Sequence, residues 1–150
     1  MRILRTGVIT WKVKADFMTN IESSITVDRP ISEVFDFLSD LNNHQQLMPE
    51  NVYNWSSTKY EARFTIQNMA KLALKVSSIT KDKEIIALPT EETPFALELK
   101  WTLHDLGQGK TEAIHTISAD LNMMMKMIVS GPLQKIVDHE TAQLKAVLLK

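Results

Sequence analysis

The stretch that decides the fold lies near the start of the chain and reads Ile25-Thr26-Val27-Asp28-Arg29-Pro30-Ile31-Ser32-Glu33-Val34-Phe35-Asp36-Phe37-Leu38. Apolar and polar residues alternate from Asn20 to Asp28, which is typical of a half-buried strand. Proline is tolerated in the first turn of a helix, so Pro30 indicates a helix start. Four apolar residues then follow at i, i+3, i+4 and i+7, from Ile31 to Leu38. This stretch therefore predicts a strand that runs directly into a short amphipathic helix.

Beyond Leu38, the spacing at which apolar residues recur changes twice along the chain. Asn42 and Asn43 are predicted to end the first helix and cap a second, very short one, which ends at Pro49. From residue 51 to about residue 121 the apolar residues recur with period two, in about six segments separated by short turns. Connections this short join antiparallel neighbours. Together with the first strand, the sequence predicts an antiparallel sheet of about seven strands.

The C-terminal stretch returns to a helical period. Its predicted apolar stripe consists of Leu133, Ile136, Val137, Leu144, Val147 and Leu148. The predicted polar side carries Lys135, Asp138, Glu140 and Lys145. Upstream, Ser130-Gly131-Pro132 is expected to kink or reset the helix, because proline removes a backbone donor. The sequence therefore predicts a long closing helix with an interruption in its first half.

Composition restricts the classes of function. The 150 residues fit one domain, for which we expect bounds of 18–150, with residues 1–17 as an N-terminal extension or an extra edge strand. The 17 basic and 18 acidic residues give a net charge of −1, which argues against nucleic acid as a partner. The chain contains no cysteine, which suits a cytoplasmic location. No apolar run reaches the roughly 18–20 residues of a membrane helix, so no integral membrane segment is expected.

Two motifs that would indicate a cofactor or a metal are incomplete. Gly109-Lys110-Thr111 resembles the end of a phosphate-binding loop but lacks the earlier glycine, and its hairpin context is wrong. His139-Glu140-Thr141-Ala142-Gln143 lacks the second histidine of a zinc-protease helix. We therefore expect no metal and no cofactor.

The order of these elements resembles the helix-grip fold of the START and birch-pollen-allergen superfamily, also called SRPBCC. That superfamily includes polyketide cyclase/dehydrase-like proteins. The resemblance covers residues 20–149 and rests on the stretch quoted above, on Leu41-Asn42-Asn43 with Pro49, and on Gly131-Pro132. It implies an α+β fold, in which a curved antiparallel sheet of about seven strands surrounds a long C-terminal helix and two short helices follow the first strand. It also implies an apolar cavity between sheet and helix.

Nine residues are candidates for binding a ligand in that cavity. Methionine adapts to irregular shapes, so the methionine-rich start of the closing helix is a candidate pocket wall, with ordinary core packing as the alternative. Trp101 belongs to the inward set of its strand, and Tyr53 and Trp55 are expected to share a face near the cavity mouth. The full set is Tyr53, Trp55, Phe64, Leu99, Trp101, His115, Met124, Met127 and Ile128.

His115 is the weak candidate for a catalytic residue. It points inward if Ala113 and Ile117 do, and an imidazole in an apolar cavity can orient a carbonyl or move a proton. No carboxylate stands at an obvious partner position along the chain. A shift of one residue would place His115 in solvent instead, because neighbouring strand residues face opposite sides. A structural or exposed histidine is the alternative.

Three functions follow as hypotheses. The preferred one is non-catalytic binding of a small hydrophobic or amphipathic molecule, such as a lipid, an isoprenoid, a quinone or an aromatic polyketide-like compound. The second is a polyketide cyclase/dehydrase-like enzyme, which requires His115, Tyr53 or another polar pair to converge in the cavity. The third is a protein-interaction or chaperone-associated module, since some relatives in this superfamily act on protein partners. A large exposed apolar patch would favour the third.

Overall fold

The computed structural model describes residues 18–149, which form one antiparallel seven-stranded sheet and three helical segments. The elements are, in chain order, β1 (Thr19–Val27), α1 (Ile31–Leu38), a 3-10 helix (Leu41–Leu47), β2 (Val52–Ser57), β3 (Glu61–Ile66), β4 (Ala70–Thr80), β5 (Glu84–Pro89), β6 (Leu97–Gly107), β7 (Lys110–Ala119) and α2 (Met123–Leu148). The strand order is β1-β7-β6-β5-β4-β3-β2. The predicted fold class is confirmed, while the prediction for residues 1–17 lies outside the described residues.

The junction between β1 and the two short helices follows the predicted signals closely. Pro30 precedes the first residue of α1, and its carbonyl accepts hydrogen bonds from the backbone of Glu33 and Val34. The following 3-10 helix is capped by Asp40, whose carboxylate accepts from the backbone N–H of Asn42 at 3.0 Å. The cap is therefore Asp40, where the sequence had indicated Asn42 and Asn43. The second short helix is also tighter than an α-helix.

The register of the sheet shifts at three places, which lie in the β2–β3, β4–β5 and β6–β7 pairs. In β2 the shift lies between Tyr53 and Ser56, and Asn54 within it has a φ of 57°. Asparagine tolerates this left-handed conformation better than most residues do. An extra residue in one strand bends that strand and increases its twist. These shifts help the sheet to curve around α2.

The closing helix α2 runs without interruption through Pro132, so the predicted reset at Ser130-Gly131-Pro132 is wrong. Proline at this position leaves the carbonyl of Ile128 without its helical donor. Both Pro132 and Ile128 are exposed, so water can supply the missing hydrogen bond. The helix lies against β1, β7 and the 3-10 helix. No helix within residues 18–149 is both long enough and apolar enough to cross a membrane.

Candidate functional site

A cavity lies between the sheet, the 3-10 helix and the middle of α2. The cavity is partly open to solvent. The lining consists of Leu41, His44, Met48, Val52, Trp55, Ala62, Phe64, Ile66, Met69, Ala70, Leu72, Leu74, Ile85, Ala87, Pro94, Phe95, Leu97, Leu99, Trp101, His115, Ile117, Leu133, Ile136 and Glu140. Such a concave, mostly apolar site with few polar groups is typical of small-molecule binding sites.

The exposure of the lining residues distinguishes the mouth of the cavity from its interior. Met48, Met69, Pro94 and Phe95 retain contact with solvent, so the mouth lies beside the 3-10 helix, the β3–β4 turn and the loop before β6. The polar residues are different. His44, His115 and Glu140 are buried, and they lie in the interior part of the cavity.

Two stacked aromatic pairs contribute to the cavity wall. Trp55 of β2 stacks on Phe64 of β3, with ring centroids 5.1 Å apart and an interplanar angle of 11°. Trp101 of β6 stacks on His115 of β7, with centroids 4.3 Å apart and an angle of 2°. Trp101 and His115 are directly opposed in the antiparallel register, which brings their side chains to the same face. The stacking fixes the plane of the imidazole ring.

The carboxylate partner of His115 comes from α2. His115 Nδ1 and Glu140 Oε1 lie 3.4 Å apart, and the two side chains are 2% and 4% exposed. This distance exceeds the roughly 2.7–2.9 Å of a strong charge-assisted hydrogen bond. Within residues 18–149, His115 Nδ1 has no hydrogen-bond partner. The two groups therefore face each other inside the cavity without closing a hydrogen bond.

Burial favours the neutral form of both members of this pair. Burial raises the pKa of Glu140 to about 8, because the ionised carboxylate loses its hydration. Burial also lowers the pKa of His115 to about 3, with a smaller contribution from the positive charge that His44 carries when it is protonated. His44 is itself buried, its ring Nε2–H donates to the carbonyl of Leu38 at 2.8 Å, and burial lowers its pKa. The interior of the cavity thus holds a protonated carboxyl group beside neutral imidazoles.

A hydroxyl pair fixes the turn of α2 that carries Glu140. The Thr141 hydroxyl donates to the carbonyl of Asp138 at 3.1 Å, so its oxygen accepts from the Ser23 hydroxyl at 2.9 Å. Ser23 lies on β1 directly opposite His115 on β7. The helix is therefore attached to the sheet next to the strand position that presents the imidazole, and this attachment sets the direction of Glu140.

The structure brings five of the nine predicted ligand-binding residues to the cavity, namely Trp55, Phe64, Leu99, Trp101 and His115. Tyr53 is 43% exposed and lies outside the cavity lining. The prediction that Tyr53 and Trp55 share a face is wrong, because the register shift at Asn54 interrupts the alternation of β2. This shift turns Trp55 inward and leaves Tyr53 outside.

The expected methionine wall is also corrected. Met124, Met127 and Ile128 are 70%, 80% and 60% exposed, and they lie outside the cavity lining. Met125 packs against the core instead. The reason is the phase of α2, since Met125 falls four residues before the buried Val129 and eight before the buried Leu133. The start of α2 therefore presents Met123, Met124 and Met127 to solvent.

Sequence reasoning missed Glu140 and His44. Glu140 had been assigned to the polar side of α2, and that assignment is wrong because the residue is 3% exposed. Its spacing contained the signal, since residue 140 follows the stripe residues Leu133, Ile136 and Val137 by seven, four and three. His44 showed no comparable signal in its short helix. Across the described part of the chain, no group of three or more acidic, histidine or cysteine residues could hold a metal ion.

Comparisons with known proteins address the fold. No family model matches the chain, and no curated protein matches its sequence. Among solved structures, that of the KanY protein superposes on this chain with a TM-score of 0.74 and a sequence identity of 13%. The match covers 89% of this chain and 99% of KanY. A START superfamily protein from Mycobacterium smegmatis has a TM-score of 0.68 and 12% identity, with 87% and 97% covered.

A third similar structure is that of a synthase. A point mutant of norcoclaurine synthase from Thalictrum flavum, in complex with a transition-state analogue, has a TM-score of 0.67 and 9% identity. The match covers 88% of this chain and 94% of that chain. Identities this low bear on the fold alone, and here they agree with the element order and the sheet topology. The chain therefore has the helix-grip fold of the START and birch-pollen-allergen superfamily.

Proposed function

We propose that this protein binds a small hydrophobic or amphipathic molecule in the cavity between the sheet and α2. The observation that supports this function is the composition of the cavity wall. Only His44, His115 and Glu140 among the described lining residues are ionisable, and the other lining side chains are apolar or aromatic. Burying apolar ligand surface against such a wall contributes roughly 25 cal/mol per Å² removed from water.

The chemistry of the wall narrows the ligand class to neutral molecules. The described lining contains no lysine or arginine, so an ionised carboxylate or phosphate would enter the interior without a counter-charge. Candidate classes are therefore the neutral parts of lipids, isoprenoids, quinones and aromatic polyketide-like compounds. Stacked aromatic side chains at Trp55 and Trp101 favour ligands with flat rings.

Filling the mouth of the cavity tests this function. Ala70 lines the cavity and is half-buried, so Ala70→Trp is expected to occupy ligand space without disrupting the core. Ala142→Trp on the exposed side of α2 is the matched control. We expect the wild-type protein and the control to bind the uncharged fluorescent probe N-phenyl-1-naphthylamine saturably, and Ala70→Trp to bind it at least about tenfold more weakly. Equal binding by all three proteins, or no saturable binding, would contradict the proposal.

A second candidate function is catalysis of enolisation, and the convergence of His115 and Glu140 favours it. The protonated Glu140 can donate a proton to a ligand carbonyl oxygen while His115 removes one from the carbon beside that carbonyl. The carboxylate that forms lies 3.4 Å from His115 Nδ1, and its charge counteracts the low basicity that burial gives the imidazole. The products are an enol, an imidazolium and a carboxylate, and proton return in the reverse direction restores the site. This step needs no other reactant.

Deuterium exchange provides the test of catalysis. The protein is incubated with 2-tetralone in D2O, and NMR follows the loss of the hydrogens beside the carbonyl. If the protein is an enzyme, it should exchange these hydrogens faster than buffer alone. His115→Gln or Glu140→Gln should reduce the part of the rate that exceeds the buffer rate about a hundredfold. Glu61→Gln on the exposed side of β3 serves as the control. A wild-type rate equal to that of buffer would eliminate this second candidate.

A further inference from the structure

We propose that His115 and Glu140 form a polar anchor in the cavity that selects a neutral planar ligand carrying one hydroxyl group, such as a phenol. This inference rests on the proposed function, since it requires that the cavity bind a small molecule. It adds the chemical feature that the ligand must carry and the residues that recognise it.

The first argument is that a buried nitrogen of His115 makes no hydrogen bond within the described residues. His115 Nδ1 is buried and has no partner within residues 18–149, although Glu140 Oε1 is 3.4 Å away. Buried polar groups are normally paired, and an unpaired one destabilises the protein unless something satisfies it. Both residues line the cavity, so a ligand atom in the cavity can reach them.

The second argument concerns the type of atom that fits both residues. A protonated carboxyl group offers an O–H donor, and a neutral imidazole offers one unprotonated nitrogen as an acceptor. A ligand hydroxyl can accept from Glu140 and donate to His115 in the same position. An ether or carbonyl oxygen can only accept, and a methyl group can do neither. The pair therefore matches a hydroxyl group better than these alternatives.

The third argument is the rigidity and flatness of the surroundings. Trp101 stacks on the His115 ring at an angle of 2°, and the contact between Ser23 and Thr141 holds the helical turn of Glu140 against β1. A site that is fixed before binding loses little freedom when the ligand arrives. Other aromatic side chains of the cavity lining, including Phe64 and Phe95, favour a ligand with a planar ring.

Calorimetric or fluorescence titrations with matched naphthalenes test the anchor. The probes are 2-naphthol, 2-methoxynaphthalene and 2-methylnaphthalene, which share a ring system and differ in hydrogen bonding. The quantity compared is the ratio of the Kd for 2-methylnaphthalene to the Kd for 2-naphthol. We expect Glu140→Leu and His115→Phe each to reduce this ratio about tenfold, the equivalent of one lost hydrogen bond. Glu140→Gln retains a donor and should keep most of the preference.

The controls distinguish a lost preference for the hydroxyl group from two other effects, which are destabilisation of a variant and loss of all ligand binding. His139→Leu changes an exposed neighbour on α2 and should leave the ratio unchanged. In the wild-type protein alone, 2-methoxynaphthalene should bind several-fold more weakly than 2-naphthol, and this comparison needs no variant to fold. All three probes could bind without any preference for the hydroxyl group, either in the wild-type comparison or in the Kd ratios. That result would refute the proposed anchor and leave the proposal of cavity binding in place. If none of the probes binds, both proposals fail together.

Discussion

Glu140→Gln is expected to keep a constant stability between pH 6.5 and pH 8, whereas the wild-type protein is expected to lose about 2 kcal/mol of unfolding free energy over that range. The basis is the buried carboxyl group, whose pKa is raised from 4.5 to about 8 by the loss of hydration. One pH unit changes the free energy by about 1.4 kcal/mol for each proton that differs between the folded and unfolded states. Glutamine has a similar shape and does not titrate.

The sign of this effect follows from proton binding. Between pH 4.5 and pH 8 the folded state keeps the Glu140 proton that the unfolded state releases. The contribution of Glu140 is therefore complete below pH 4.5 and is lost progressively as the pH rises towards 8. His115 acts in the opposite direction, because its pKa is lowered from 6.5 to about 3 and its contribution is lost as the pH falls below 6.5.

Urea denaturation at a series of pH values measures both effects. From pH 4.5 to 6.5 the contributions of Glu140 and His115 to the pH dependence offset each other. Above pH 6.5 the Glu140 contribution is unopposed, so the difference between the wild-type protein and Glu140→Gln isolates it from other groups. Parallel stability curves for the two proteins above pH 6.5 would show that Glu140 is ionised in the folded state and that the neutral pair does not exist.

Trp101→Ala is expected to destabilise the protein by about 3–5 kcal/mol, which is the range for truncating a buried aromatic residue. Trp101 is 4% exposed and packs in a cluster with Ile85, Leu103 and Leu144. The substitution also removes the ring that covers His115. Because water would then reach the imidazole, the pKa of His115 should rise towards 6.5, which NMR titration of the ring protons can measure.

Trp55→Ala is the matched control for this substitution. Trp55 also stacks on an aromatic ring, but it lies half-exposed in β2, and its indole N–H donates to the Ser57 hydroxyl at 3.0 Å. Its truncation should destabilise the protein by less than half as much as that of Trp101, and it should leave the pKa of His115 unchanged. Equal losses from the two variants would contradict the assignment of Trp101 to the buried part of the cavity wall and Trp55 to its half-exposed part.

Much of the fold could be predicted because its local signals agree with its packing. The transition at Pro30 and the period of two beyond residue 51 each indicated elements that the structure contains. The register shift in β2 could not be predicted in this way. Asn54 in the left-handed conformation breaks the alternation between Tyr53 and Trp55. Although asparagine tolerates this conformation, its presence alone does not indicate a register shift.

The site was less predictable because residue type and position gave conflicting signals. Glu140 follows the apolar stripe by spacing, yet its charge indicated the solvent side, since acidic residues are rarely buried. The methionines of α2 indicated a pocket wall by composition, but the phase of the helix turns Met124 and Met127 outward. Alternation left two placements open for His115, inward or in solvent, and its partner lies 25 residues further along the chain, where only the tertiary fold brings the two together.

The order of strands in the sheet has a consequence for how the molecule folds. Strands β2 to β7 pair with their neighbours in sequence, so they can form as successive hairpins with short loops. Strand β1 pairs with β7, and Thr19 meets Ala119 across 100 residues of chain. Contacts between distant residues slow folding, because the loop between them must be closed first. During synthesis, β1 therefore cannot pair with β7 until the C-terminal third of the chain has been made. Only then can Ser23, His115 and Glu140 come into contact.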